Sequence, residues 1–204
     1  MPTSPYSHII SLVEYLHVVR PKSILDIGLG NGKLGFIARD FLDVMLGGHF
    51  HKSQWQLRLD GIEVYRDYIQ NHQRAIYDDI FIGDAFDLID QLGKYDMILM
   101  GDVLEHFEKQ RGLAFMDKCF HHIEKAIGLF IPLGDGWSQE DIYGNPYEIH
   151  QSAWQLDELL PLSIRHRIYE YGPGDYGAFL LDKDKYIEKC IEDLKSRSVH
   201  DTGS

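Results

Sequence analysis

The run Asp26-Ile27-Gly28-Leu29-Gly30-Asn31-Gly32 limits the folds open to this chain more than any other segment. It closes the short apolar stretch Ser23 to Ile27, which reads as a buried strand. It opens onto Lys33 to Met45, where Leu34, Ile37, Ala38, Phe41 and Leu42 share one helical face. Glycines in such a turn permit positive φ and let a ligand approach the main chain closely. Strand, glycine turn and helix form the opening unit of a doubly wound sheet.

The alternation continues along the chain. A helix over Tyr6 to Val19 precedes the first strand and ends at Arg20-Pro21. Further strands are predicted at Gln56 to Glu63, Asp79 to Ile82, Tyr95 to Met100 and Gly128 to Pro132. Helices fall between them at Tyr65 to Tyr77, Phe86 to Leu92 and Lys109 to Ala126. The rhythm then changes. A long loop, Leu133 to His150, precedes a helix over Ser152 to Leu160, and long loops of this kind are often functional. Two extended runs follow, Ser163 to Tyr171 and Gly177 to Leu181, and their short connection demands an antiparallel hairpin. A helix over Lys183 to Lys195 and a polar tail close the chain. The expected fold class is α/β: a Rossmann-like, doubly wound, seven-stranded, mostly parallel sheet with an antiparallel C-terminal hairpin and helices on both faces. A length of 204 residues suits a single domain, its core at about 20–182, flanked by an N-terminal helix (1–20) and a C-terminal helix and tail (183–204). Gly47-Gly48-His49-Phe50-His51 reads as an insertion before the second strand.

The details of the glycine turn separate its possible ligands. A dinucleotide turn, G-x-G-x-x-G, needs a small residue where this chain has Lys33, which weakens the nicotinamide reading. A triphosphate loop would need glycine at Ile27 and a hydroxyl at Leu34, and both fail. What remains is an acid two residues before the first glycine, in the order D-x-G-x-G-x-G. With Glu63 ending the second strand, Gly83-Asp84-Ala85 ending the third, and Gly101-Asp102-Val103-Leu104-Glu105-His106 after the fourth, the chain resembles the class I S-adenosylmethionine-dependent methyltransferases. The resemblance covers roughly residues 20–182 and is nearest to the subgroup that modifies small molecules. It implies S-adenosylmethionine as cofactor, bound by Asp26, Gly28, Gly30, Gly32, Glu63, Asp84, Ala85, Asp102 and Val103. Glu63 would accept the ribose hydroxyls, with Asp60, inside the strand, as the alternative acid; Asp84 would meet the adenine amino group. The insertion departs from the family's spacing, and Lys33 has no assigned role.

The cofactor's sulfonium methyl is already activated, so the chain's task is alignment and, for some acceptors, proton removal. His106, just past the fourth strand, is the first candidate base and His150, in the long loop, the second. Trp154 could wall the acceptor pocket, and the long loop and the Gly47-Gly48 insertion are expected to shape it. His49, His51, His121 and His122 lack an acid set at ligand spacing, so no metal site is expected. Cys119 and Cys190 read as reduced thiols. A net charge of −12 disfavours nucleic acid as a partner, and Arg165-His166-Arg167 is the one basic cluster, read as a polar strand edge. No signal segment or membrane span is evident, so a cytoplasmic monomer or homodimer acting on a small-molecule methyl acceptor is expected. Two competing readings stand beside this one: a cofactor-binding module without catalysis, and a nicotinamide-dependent oxidoreductase.

Overall fold

The computed structural model describes residues 3–141 and 144–201, with side chains described up to residue 192. Seven strands form one sheet in the order β3-β2-β1-β4-β5-β7-β6. They are β1 (Ser23–Ile27), β2 (Arg58–Glu63), β3 (Ile80–Ile82), β4 (Tyr95–Gly101), β5 (Ile123–Leu133), β6 (Ser163–Tyr171) and β7 (Gly174–Asp182). Pairing is parallel from β3 through β5, and β7 runs antiparallel to both β5 and β6. This is the expected fold class, closing hairpin included.

Period-two side chains explain why the sheet needs helices on both faces. On β4, Met97 and Leu99 enter one core while Ile98 and Met100 enter the other. The first core takes Leu12, Tyr15 and Leu16 of α1 (Ile9–Val19) and Leu34 and Ala38 of α2 (Lys33–Arg39). The second takes Ile89, just after α4 (Ala85–Leu88), and Phe115, Met116, Cys119 and Phe120 of α5 (Lys109–His122). Each such apolar side chain, fully buried, contributes about 1.5–3 kcal/mol before entropy is counted.

The structure corrects several boundaries. The first helix starts at Ile9, because residues 6–8 form a turn that carries His8 into the core. The second is α-helical only to Arg39 and continues as a widened π-turn, Asp40–Leu46, where Arg39 and Asp43 both turn inward. The expected helix Tyr65 to Tyr77 is broken into a 3-10 turn, Arg66–Tyr68, and α3 (Asn71–Ile76), since Ile69 and Gln70 are extended. The fifth strand starts at Ile123, shortening the preceding helix, because Ile123 already pairs with Tyr95. Most of Ser152 to Leu160 is not helical. Gln151 and Ser152 donate their N–H groups to the Glu105 carbonyl, so only α6 (Leu156–Leu159) and a 3-10 turn, Leu160–Leu162, remain. The last strand begins at Gly174, and α7 (Lys183–Asp201) continues past Lys195; residues 202–204 of the tail lie outside the described residues.

The basic cluster is a paired surface: Arg165 and Arg167 both reach Glu14. Both cysteines are free thiols. Among the described residues no helix is long and apolar enough to cross a membrane.

The insertion is held by an ion network built on the buried pair Arg39 and Asp43. Arg39, 2% exposed, donates to Asp43 at 3.0 Å, to Asp78 at 3.1 Å and to the carbonyls of Leu57 and Ile76, and it stacks on Trp55. Asp43 in turn accepts the N–H groups of Gln56 and Leu57. Removing Arg39 strands the buried Asp43 carboxylate, while Asp78 stays half-exposed, so Arg39→Ala is expected to cost about 3–5 kcal/mol in denaturant unfolding. Arg39→Lys should recover only part of it, because an ammonium cannot span the same fork of acceptors. Equal stability of Arg39→Ala and the parent would refute this role.

His8 packs between the rings of Phe130 (4.6 Å) and Tyr176 (5.5 Å), its ring nitrogens without a hydrogen-bond partner among the described residues. Burial, aided by the charge of Lys33, lowers its pKa to about 4. The unfolded chain takes up this proton below about pH 6.5, so His8 costs stability as pH falls from there towards 4 and costs none above. His8→Phe should therefore lose less stability than the parent between about pH 7 and about pH 5, by roughly 2 kcal/mol. Parallel losses in thermal melts of the two proteins would count against it.

Candidate functional site

Strand order reverses at β1: one connection leads outward to β2 and β3, the other to β4 and β5. Loops leaving the carboxyl ends of β1 and β4 diverge there and open a crevice, the usual ligand position in such sheets. A cavity of about 600 Å³ occupies this position, within the usual range for small-molecule sites. Ten sequence-predicted residues line it: Asp26, Gly28, Gly30, Glu63, Asp84, Ala85, Asp102, Val103, His106 and His150.

Gly32 does not. It lies against Gln73 and Tyr77, on the packing side of the turn. Gly28, at φ +66°, has room for no side chain: an added Cβ would fall 2.7 Å from Cγ2 of Val103. That contact brings the β1 loop directly against the β4 loop. The alternative acid Asp60 lies off the cavity, engaged by Arg58 and by the Tyr95 hydroxyl. Trp154 is also off the cavity, packed on Gly112 and under the ammonium of Lys109. The Gly47-Gly48 insertion contributes nothing to the lining, because helix-to-strand connections fall at the opposite end of the sheet from the crevice.

Each carboxylate has its own support. Glu63, 5% exposed, accepts the N–H of Gly30 at 2.9 Å on one oxygen and that of Tyr65 at 2.9 Å on the other. Each oxygen keeps a further lone pair for a ligand. Burial raises the Glu63 pKa, the two N–H groups oppose it, and nearby Glu148 adds repulsion. Asp84 caps α4 through the N–H of Phe86 and pairs with Arg111 at 2.8 Å. Asp26 sits beneath the turn and accepts a 2.5 Å hydrogen bond from the Tyr77 hydroxyl; burial raises its pKa to about 7. Asp102 follows β4 in the left-handed region, φ 55°, an uncommon conformation outside glycine that clusters at functional sites. Its carboxylate accepts the Tyr176 hydroxyl at 2.9 Å, and burial raises its pKa.

Several lining or supporting residues escape a reading of the sequence. Lys33 donates to the carbonyls of Ser4 and Pro5, tying residues 3–5 over the cavity. Asn145 donates to the Tyr68 hydroxyl at 3.0 Å and to Glu148 at 3.2 Å, which fixes the long loop against the turn after β2. Residues 142–143 of that loop lie outside the described residues. Tyr77 left one visible trace, the small residues Gly35 and Gly61 that make way for its ring.

His106 ends the 3-10 turn Leu104–His106, and His150 lies beside it, ring centroids 5.1 Å apart. Burial lowers the His106 pKa to about 4 and also lowers that of His150. Both imidazoles are neutral at physiological pH and present lone pairs rather than charge.

Neither a family model nor a curated protein matches the sequence. Solved structures match it in shape. Magnesium protoporphyrin IX methyltransferase (ChlM) from Synechocystis PCC 6803 with bound SAH gives a TM-score of 0.58 at 15% identity, over 85% of this chain and 80% of that one. The N-methyltransferase NodS from Bradyrhizobium japonicum WM9 gives 0.57 at 12%, over 86% and 93%. TehB from Haemophilus influenzae gives 0.59 at 11%, over 84% of this chain and 61% of its own. The chain has the class I methyltransferase fold. In this methyltransferase fold, the glycine turn and the acids of β2 and β3 come together at one rim of the crevice, and His106 and His150 line the same cavity.

Tyr77 is what props the turn from below. A Cβ on Gly35 would stand 2.2 Å from its hydroxyl oxygen. Gly35→Ala should cost about 1–3 kcal/mol by overpacking, and Gly35→Ala combined with Tyr77→Ala should cost less than the sum of the two. Strict additivity in urea unfolding would show that the two residues do not compete for this space.

Proposed function

We propose that the chain binds S-adenosylmethionine across the carboxyl ends of β1 to β4 and transfers its methyl group to a small acceptor bearing oxygen or nitrogen. The observation that carries this reading is Glu63, a buried carboxylate clamped by the Gly30 and Tyr65 N–H groups at the mouth of the glycine turn with lone pairs to spare. The chemistry of the lining fits the cofactor. Seven acids, Asp26, Glu63, Asp84, Asp102, Glu105, Glu108 and Glu148, face the cavity against two cations, Lys33 and Arg111. Arg111 is already paired with Asp84, and Lys33 is held by backbone carbonyls. A ligand carrying ammonium and sulfonium charge suits such a lining. Two structures of ChlM, a protein of the same fold, hold SAH and SAM.

When bound, the cofactor supplies an activated methyl group, and the protein supplies position. Glu63 would take the ribose hydroxyls. Asp84, held by Phe86 and Arg111, would stand at the adenine edge. The Gly28 turn, braced on Val103, would let the cofactor lie against bare backbone. Residues 3–5 and the long loop around Asn145 to His150 would cover the cavity and exclude water. His106 and His150, neutral and facing the cavity, would contact the acceptor. A lowered pKa suits them poorly to taking a proton at neutral pH, so their part would be orientation more than general-base catalysis. Holding acceptor and methyl in line can supply about 7–11 kcal/mol of the barrier.

Calorimetric titration with S-adenosylhomocysteine should give one site per chain. Glu63→Gln should weaken it at least about tenfold, the worth of a charge-assisted hydrogen-bond pair. Absence of heat from folded protein at millimolar ligand would overturn the reading. Binding without methyl transfer to a broad panel of small hydroxyl, amine and carboxyl acceptors would leave a binding module in place of an enzyme.

A further inference from the structure

Glu105 lines the cavity, but the cofactor reading gives its carboxylate no partner. Its side chain is 2% exposed, and both carboxylate oxygens lack a hydrogen-bond partner among the described residues. Asp102 and Glu148 add repulsion to the cost of burying it. A dry carboxylate in this position is protonated, paired or bound to a metal ion.

Two imidazoles are placed to share such an ion. One donor atom from each of Glu105, His106 and His150 lies within 4.8 Å of the others. His106 Nδ1 stands 3.2 Å from the Ile149 carbonyl, and His150 Nδ1 stands 3.3 Å from the Trp137 carbonyl. A carbonyl only accepts, so each Nδ1 in these contacts carries the proton, and in a neutral ring the lone pair is then on Nε2. Metal-binding histidines are oriented in this way, the far nitrogen donating to a carbonyl or carboxylate. Hydrogen bonds hold the two segments together: the backbone N–H groups of Gln151 and Ser152 reach the Glu105 carbonyl at 2.7 and 3.1 Å, and the Gln151 side-chain Nε2 donates to the His106 carbonyl at 2.7 Å.

We propose that Glu105, His106 and His150 bind a divalent first-row transition-metal ion whose open coordination positions face the cavity. Two imidazoles and one carboxylate are a donor set for such ions, and a three-residue set leaves positions free. Bonds of about 2.0–2.2 Å put neighbouring ligand atoms roughly 3.3 Å apart in a tetrahedral site, within reach of side-chain rotation from the spacing here. Sequence spacing could not reveal this set, because His150 meets the other two only through the long loop. His49, His51, His121 and His122 take no part in it. An ion there would receive an acceptor's oxygen donors, lower the pKa of a bound hydroxyl and orient it; this last role rests on the methyl-transfer reading, whereas metal binding does not.

Cobalt(II) alone is the probe. After dialysis of the full chain against a chelator, visible-absorption titration should show ligand-field bands saturating at one ion per chain. Glu105→Gln and His150→Asn should each weaken cobalt binding at least about 100-fold, more than the loss of an outer hydrogen bond typically costs. Glu105 is in the core and His150 in the loop, so a variant that fails to fold leaves the other to decide. No saturable bands, or an affinity unmoved by the substitution in a folded variant, would overturn the site and leave Glu105 as a buried neutral acid. S-adenosylhomocysteine is titrated separately into the metal-free protein: cobalt binding without it sinks the methyl-transfer reading alone, and the converse sinks the metal site alone.

Discussion

The reversal of strand order beside β1 governs the rest of this molecule. Because β1 pairs in parallel with both β2 and β4, the chain leaving β1 turns onto one face while the chain leaving β4 turns onto the other. Neither turn can cover the gap between them. The bond from the Gly30 N–H to Glu63 then fixes the β1 turn against the end of β2, and the packing of Gly28 on Val103 fixes it against the end of β4. Three loops that could move independently become one rigid rim.

That rim concentrates carboxyl groups where water is scarce. Burial raises the pKa of Asp26, Glu63, Asp102, Glu105 and Glu148 alike, so the folded chain carries an electrostatic debt at one end of its sheet. Hydrogen bonds from Tyr77, Gly30, Tyr65 and Tyr176 discharge part of it. The remainder favours cationic ligands, whether an organic cation along β1 to β3 or an inorganic one beside β4. The neutral imidazoles of His106 and His150 fit the same picture, since they add donors without adding charge.

Local pattern was enough to read the sheet. Apolar runs of the right length, a glycine turn after the first of them and a tight C-terminal connection determine the strand sequence and the hairpin, because those signals act between near neighbours. Acids at strand ends were legible for the same reason. What sequence could not carry were features created by distant partners. Ser152 to Leu160 has helical composition, yet the Glu105 carbonyl draws residues 151 and 152 out straight. Tyr65 to Tyr77 breaks where Tyr68 turns in to meet Asn145. Gly32 belongs to the turn motif but serves packing, and the insertion lies at the wrong end of the sheet to touch a ligand. The convergence of His106 with His150 is of this kind too.

The position of β7 has a consequence for how the chain is made. It lies between β5 and β6, although it is the last of the seven strands of the sheet to leave the ribosome. Until residue 174 has emerged, β6 has no partner, and the apolar edge of β5 stands open along the eight positions that β7 will later occupy. A nascent chain in this state carries a template for pairing with its neighbours on the same message. Completion of the sheet is therefore an insertion event, and a pause in translation within the hairpin would prolong the interval in which that edge is unprotected.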